Sequence, residues 1–82
     1  MHTYATSGTC SKQITFDVQN SIVKNVIFHG GCSGNLQGIS KLVEGLPINE
    51  VIARLKGIQC GTKPTSCPDQ LATALEEFTK KS

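Results

Sequence analysis

The sequence predicts an α+β domain, in which a small antiparallel sheet is followed by three helices that pack on one of its faces. Residues 13–18 alternate between apolar and polar side chains, which is typical of a strand with one buried face. Three later segments carry apolar side chains three or four residues apart, which is the spacing of amphipathic helices. A chain of 82 residues is expected to form a single domain, residues 1–82.

The first part of the chain predicts the strands. Residues 4–10 are small and polar and are expected to form a short leading strand or an extended arm, with His2 disordered. The strand at 13–18 is followed by a turn at 19–21 and a second strand at 22–29, so the two strands form a hairpin. If 13–18 is an exposed edge of the sheet, it permits dimerisation by strand pairing, although the sequence does not determine the oligomeric state.

The second part of the chain predicts three helices, each with an apolar stripe. The stripe of the first helix is expected at Leu36, Ile39, Leu42 and Val43. That of the second is expected at Ile48, Val51, Ile52 and Leu55. That of the third is expected at Leu71, Ala74, Leu75 and Phe78. Gly45 and Gly57 are expected to end the first two helices, and Cys67 is expected to cap the third, with Pro68 as its first helical residue.

Composition excludes several classes of protein. The net charge of +2 is small and scattered, so a nucleic-acid or acidic-membrane partner is not expected. No apolar run approaches the roughly 18 residues of a membrane span, and the N-terminal residues lack the features of a signal peptide. We therefore expect a cytoplasmic protein, in which thiols stay reduced. The three acids of the third helix, Asp69, Glu76 and Glu77, are expected to form a solvated face, and no catalytic residue is predicted.

The four cysteines are the candidate functional residues. Cys10, Cys32, Cys60 and Cys67 each fall at the boundary of a predicted element, none falls on a predicted core stripe, and none forms a Cys-x-x-Cys pair. Boundary residues at one end of a sheet can converge after folding, and thiolates near helix N-termini are stabilised by the helix dipole.

Four thiolates in a reducing compartment favour tetrahedral zinc, with an iron–sulfur cluster second. Redox-active thiols remain an alternative, as do structural cysteines or disulfides, for which three pairings exist. His29 lies close to Cys32 in the sequence and is a candidate for an additional or replacement ligand. A histidine at a strand end is more commonly solvated or bonded to a nearby polar group.

The segment Thr65-Ser66-Cys67-Pro68-Asp69 spells the motif that names the TSCPD domain. Together with the loop at 31–35 and the four cysteines, it makes nearly the whole chain resemble the small stand-alone members of that family. The family is otherwise known as a C-terminal domain of adenosylcobalamin-dependent ribonucleoside-diphosphate reductases. The resemblance implies an accessory, metal-binding module that is linked to DNA biosynthesis, with such a reductase or another protein as its partner. It does not imply that this chain reduces ribonucleotides.

The chain also resembles the NifU/IscU-type iron–sulfur scaffold proteins. In these proteins one cysteine precedes a β-hairpin, a second lies before a helix and a third begins the last helix, as do Cys10, Cys32 and Cys67. Two positions depart from the scaffold pattern, since Lys12 replaces an acid and Ser66 replaces a histidine. This resemblance implies a similar fold and convergence of the cysteines. The predicted function is therefore a zinc-binding accessory module, with an iron–sulfur scaffold or a thiol redox partner as the alternative.

Overall fold

The fold is an α+β arrangement, as the sequence predicts. The computed structural model describes residues 1–6, 8, 11–30, 33–59, 61–62 and 64–81. The strands are β1 (His2–Ala5), β2 (Ser11–Gln19) and β3 (Ile22–Gly30), and the helices are α1 (Ser33–Val43), α2 (Ile48–Leu55) and α3 (Cys67–Lys81). No helix in the described part of the chain has both the length and the apolar character needed to cross a membrane.

The three strands form an antiparallel sheet in the order β1-β2-β3. The expectation of an exposed edge at 13–18 is therefore wrong, because β2 is the central strand and has a neighbour on each side. His2 is not disordered, since it pairs with Phe16 in the ladder between β1 and β2. The centroid of its ring lies 5.5 Å from that of Phe16 and 4.5 Å from that of Phe78. The expected leading strand thus begins at His2 rather than at Tyr4.

The turn between β2 and β3 consists of Asn20 and Ser21, with φ angles of 52° and 64°. Two consecutive left-handed residues are the signature of a two-residue type I′ hairpin turn, whose twist matches that of the strands. Asparagine tolerates this conformation, whereas serine adopts it at a cost because its Cβ crowds the following carbonyl oxygen.

We expect the Ser21→Gly substitution to raise the free energy of unfolding by about 0.5–1 kcal/mol, because glycine has no Cβ to crowd the left-handed backbone. The Asn20→Gly substitution should gain less, because asparagine already tolerates the conformation. Urea denaturation of both variants measures the difference. A loss of stability in Ser21→Gly would show that the turn is not of this type.

Two bulges interrupt the pairing of β2 with β3, one between Ser11 and Gln13 and one between Thr15 and Asp17. At the second bulge the extra residue is Asn25 on β3, which has a φ of 55°. Its backbone N–H donates to the carboxylate of Glu44 at 2.9 Å. The first bulge lies at the start of β2 and changes the alternation of side chains there. Ser11 is consequently buried and reaches a helix, as described below.

The core lies between one face of the sheet and the helices. Its fully packed members are Ile14, Phe16, Val23, Val26, Val43, Ile48, Val51, Leu71, Ala74 and Leu75. The predicted stripes of α2 and α3 are confirmed, since all their members are buried or partly buried. The stripe of α1 is confirmed except at Leu42, whose side chain is 78% exposed.

The connection between α1 and α2 pairs with the first part of β3. The Gly45 N–H donates to the Val23 carbonyl at 2.9 Å, and the Val23 N–H donates to the Leu46 carbonyl at 2.9 Å. An antiparallel bridge joins Ile22 to Pro47. Gly45 has a φ of 81° and ends α1 as expected. This connection therefore covers the outer edge of β3 as far as its bulge.

Candidate functional site

Cys67 is the first residue of α3, and its side chain is buried. It lies four residues before Leu71, so it continues the apolar stripe of the helix. The expectation that no cysteine falls on a core stripe is therefore wrong for Cys67. Its sulfur nevertheless has a polar neighbour, because Sγ lies 3.2 Å from the Ser11 hydroxyl oxygen. A position in the first turn also exposes the sulfur to the positive end of the helix dipole, which favours the thiolate.

The residue that caps α3 is Ser66, one position earlier than expected. Its hydroxyl accepts the Asp69 N–H at 3.2 Å, and its carbonyl accepts the Gln70 N–H at 2.8 Å, as an N-cap residue does. The same hydroxyl donates to the Ile58 carbonyl at 2.6 Å, which ties the start of the helix to the preceding loop. A serine hydroxyl is the stronger acceptor of the two candidate groups, since a cysteine sulfur accepts hydrogen bonds only weakly.

Asp69 joins the end of α2 to the start of α3. Its carboxylate accepts the Gly57 N–H at 2.7 Å and the Thr65 hydroxyl. These two hydrogen bonds, with Thr65 contributing most, and the nearby Lys56 ammonium lower the pKa of Asp69, while partial burial opposes them. Asp69 is therefore a structural residue and not part of a solvated face as expected.

The other two acids of α3 also have partners. Glu76 pairs with Lys56, and a hydrogen bond to Glu76 is the main cause that raises the pKa of Lys56. Partial burial, followed by the charge of Glu77 and a hydrogen bond to it, raises the pKa of Tyr4. The acids of this helix therefore link α3 to the residues that follow α2 and to β1.

Three of the four predicted ligands, Cys10, Cys32 and Cys60, lie outside the described residues, so the four-thiol site stays a prediction. Within the ranges that the structure describes, no group of three or more histidine, cysteine or acidic side chains is arranged to hold a metal ion. Of the four cysteines, Cys67 alone lies within those ranges.

The described neighbours of two cysteines lie close to Cys67. Ser11, which follows Cys10 in the chain, is hydrogen-bonded to the Cys67 sulfur. Gly30, which precedes Cys32 by two residues, is the partner of Ser11 in the ladder between β2 and β3. The chain segments that lead to two predicted ligands therefore meet at the start of α3.

The described neighbours of Cys60 meet the same helix end. Ile58 precedes Cys60 by two residues, and its carbonyl accepts the hydroxyl of Ser66, the residue before Cys67. Each of the four cysteines is therefore only one or two residues along the chain from a residue that takes part in these contacts. The contacts are connected with one another at this end of the sheet.

His29 lies on the other side of the sheet from the helices. Its Nε2 is 3.3 Å from the hydroxyl oxygen of Thr15. Thr15 stands between Ile14 and Phe16, whose side chains pack in the core, so Thr15 and its partner His29 face the opposite way. The structure therefore gives His29 a polar partner away from Cys67, which is the ordinary role of a histidine at a strand end.

The sequence did not single out Ser11, Thr65 or Ser66 as residues of this site. A signal for Ser66 was present, because serine followed three residues later by an acid resembles a capping box. Ser11 carried no such signal, since its contact with Cys67 depends on the bulge in β2.

Comparison with known proteins agrees with the motif at 65–69. The TSCPD domain model matches residues 2–79. No curated protein sequence and no solved structure shows significant similarity to the chain, so the resemblance to the NifU/IscU-type scaffolds finds no support there. In the structure, the motif's Thr65, Ser66 and Asp69 form the hydrogen bonds that hold the start of α3 around Cys67. The match covers nearly the whole chain, and the chain belongs to the TSCPD domain family.

Proposed function

We propose that this chain is a small metal-binding accessory module in which Cys10, Cys32, Cys60 and Cys67 hold one zinc ion. The observation that carries the proposal is the meeting of their described chain neighbours around the buried Cys67. Consecutive Cα atoms are about 3.8 Å apart, so a residue one or two positions from such a neighbour is within about 8 Å of it. This limit is compatible with four ligands at one site.

The surroundings of Cys67 suit a thiolate ligand. The Ser11 hydroxyl can donate to the sulfur, and the first turn of α3 places Cys67 at the positive end of the helix dipole. Zinc with four cysteine ligands forms a closed, structural site and has no open position for a substrate. The ion would therefore stabilise a domain whose core is small, and would supply no catalytic step.

Elemental analysis of protein purified without oxygen, with a visible spectrum of the same sample, tests the proposal. We expect about one zinc per chain and a colourless solution. The Cys67→Ser variant should lose the zinc and melt at a lower temperature, because a ligand that holds the fold together is removed.

Two control variants separate ligand loss from general destabilisation. Ser66→Ala should lower the melting temperature but retain the zinc, because Ser66 is a cap and not a ligand. His29→Gln should retain the zinc as well, because His29 faces away from Cys67. Unchanged metal content in all four Cys→Ser variants would contradict the proposal. Iron with sulfide and a charge-transfer band would instead identify a cluster carrier, and metal-free protein with four titratable thiols would favour redox or structural cysteines.

The proposed partner is a ribonucleoside-diphosphate reductase of the adenosylcobalamin-dependent class. Support comes from membership of the TSCPD family, which is otherwise known as a C-terminal domain of such enzymes. Titration of the zinc-loaded chain into a purified reductase that lacks its own TSCPD domain tests the partnership. We expect binding that weakens when a chelator removes the metal. Absence of binding would contradict the partner and leave the zinc site to the preceding test.

A further inference from the structure

The second part of β3 is a sheet edge with which no other described segment pairs, and it carries no lysine, arginine, aspartate or glutamate. Beyond the connection that pairs with Val23, no strand or loop in the described part of the chain pairs with the outer side of residues 26–30. The segment from Asn25 to Gly30 contains no lysine, arginine, aspartate, glutamate or proline. Proteins that stay monomeric usually protect such an edge with charges, proline or a covering segment. The first part of β3 has such a cover, whereas none of the segments that the structure describes covers the second part.

A groove runs along this edge between β3 and α1. It has a volume of about 250 Å³, and its apolar lining comes from Val26, Ile27, Phe28 and Leu36. The side chain of Ile27 is 47% exposed, whereas Val26 and Leu36 are buried. An added strand would therefore find exposed apolar surface at Ile27, as well as backbone groups along the edge that have no partner strand in the described part of the chain.

We propose that the edge of β3 at residues 26–30 pairs with the same edge of a second copy of this chain, antiparallel and about a two-fold axis. Such an axis makes the interface self-complementary, and antiparallel strands offer each other matching donors and acceptors. The paired strands would form one continuous six-stranded sheet, with Ile27 of each copy close to its counterpart.

The charges at the groove favour a second copy as the occupant. The paired segment, residues 26–30, contains no lysine, arginine, aspartate or glutamate, so pairing it with its copy buries none of these charges. Lys41 lines the groove, and Glu44 lines the adjoining cavity, so two charges of opposite sign lie three residues apart on and just after α1. A surface with both signs can meet its own copy without net repulsion, whereas a rim of one sign could not.

The oligomeric state in solution tests this proposal, with and without a zinc chelator so that the outcome is independent of the metal site. Sedimentation equilibrium should give twice the chain mass of 8.8 kDa under both conditions. Ile27→Lys should weaken the dimer at least about tenfold, because it places two like charges next to the axis. Leu42→Lys is the matched control, since Leu42 is a more exposed apolar residue that does not line the groove, and it should leave the dimer intact.

Hydrogen exchange keeps the proposal testable if Ile27→Lys fails to fold. In the wild-type chain, some amides of residues 26–30 should exchange faster on dilution as the dimer separates, whereas those of β2 should not change. A monomer at all concentrations, an unaffected dimer in folded Ile27→Lys, or exchange at 26–30 that does not depend on concentration would overturn the proposal. A monomeric chain that binds an extended peptide at this edge would also overturn it.

Discussion

The Leu71→Ala substitution is expected to lower the free energy of unfolding by about 2–5 kcal/mol, the range for removing a large side chain from a packed core. Leu71 is fully buried in α3, one turn after Cys67, in the cluster that includes Ile14 and Val51. A small domain has only about 5–15 kcal/mol of stability in total. The variant should therefore be close to unfolding, and its effect should reach Cys67 through the shared helix. Urea denaturation followed by circular dichroism measures the loss.

Leu42→Ala is the matched control for this experiment. It removes the same atoms from the same residue type, but from a side chain that is mostly exposed, and should change the stability by less than about 0.5 kcal/mol. Equal losses in the two variants would contradict the packing of α3 against the sheet.

The Ser66→Ala substitution is expected to cost about 1–3 kcal/mol, although it removes a single oxygen atom. That oxygen accepts the Asp69 N–H at the start of α3 and donates to the Ile58 carbonyl, and Ser66 is buried. Alanine leaves both backbone groups without this partner at a place where water has little access. Thermal and urea denaturation measure the loss, and m-values unchanged from wild type would show that the folded state remains compact.

Thr79→Ala provides the comparison for Ser66. The Thr79 hydroxyl donates to the Glu76 carbonyl at 2.7 Å, but Thr79 is exposed near the end of the same helix. Its loss should change the stability by no more than about 0.5 kcal/mol. If Ser66→Ala costs as little as Thr79→Ala, then Ser66 is not the cap that fixes the start of α3.

The hairpin of β2 and β3 could be predicted because each strand carries its own pattern of side chains. The position of β1 could not, because His2–Ala5 is short, and its place depends on pairing with β2. The bulges could not be predicted from the side-chain pattern of one strand either, because a bulge is defined by the pairing of two strands. Leu42 was wrongly assigned to the buried stripe of α1 because it is next to Val43. The spacing of apolar residues does not determine which of two adjacent residues lies at the margin of a helical stripe.

Within the described part of the candidate site, the position of Cys67 could be predicted. The sequence marked Cys67 as the start of the last helix, and the error of one residue in the cap arose because Ser66 and Cys67 both precede Pro68. The direction of His29 could not be predicted, since it depends on the register of β3 with β2. Ser11 was missed for the same reason, because only the bulge brings it to Cys67.

The connection between α1 and α2 has the composition of a loop, with Gly45 and Pro47 on either side of Leu46. Loops of this kind usually tolerate changes of length, since their residues make few obligatory contacts. Here the backbone of three consecutive residues is matched to the start of β3, and the next N–H, that of Ile48, reaches the Ser21 carbonyl at 2.8 Å. One added residue would put these groups out of step with the strand. Pairing with the sheet therefore fixes the length of this segment. The segment acts as a very short fourth strand.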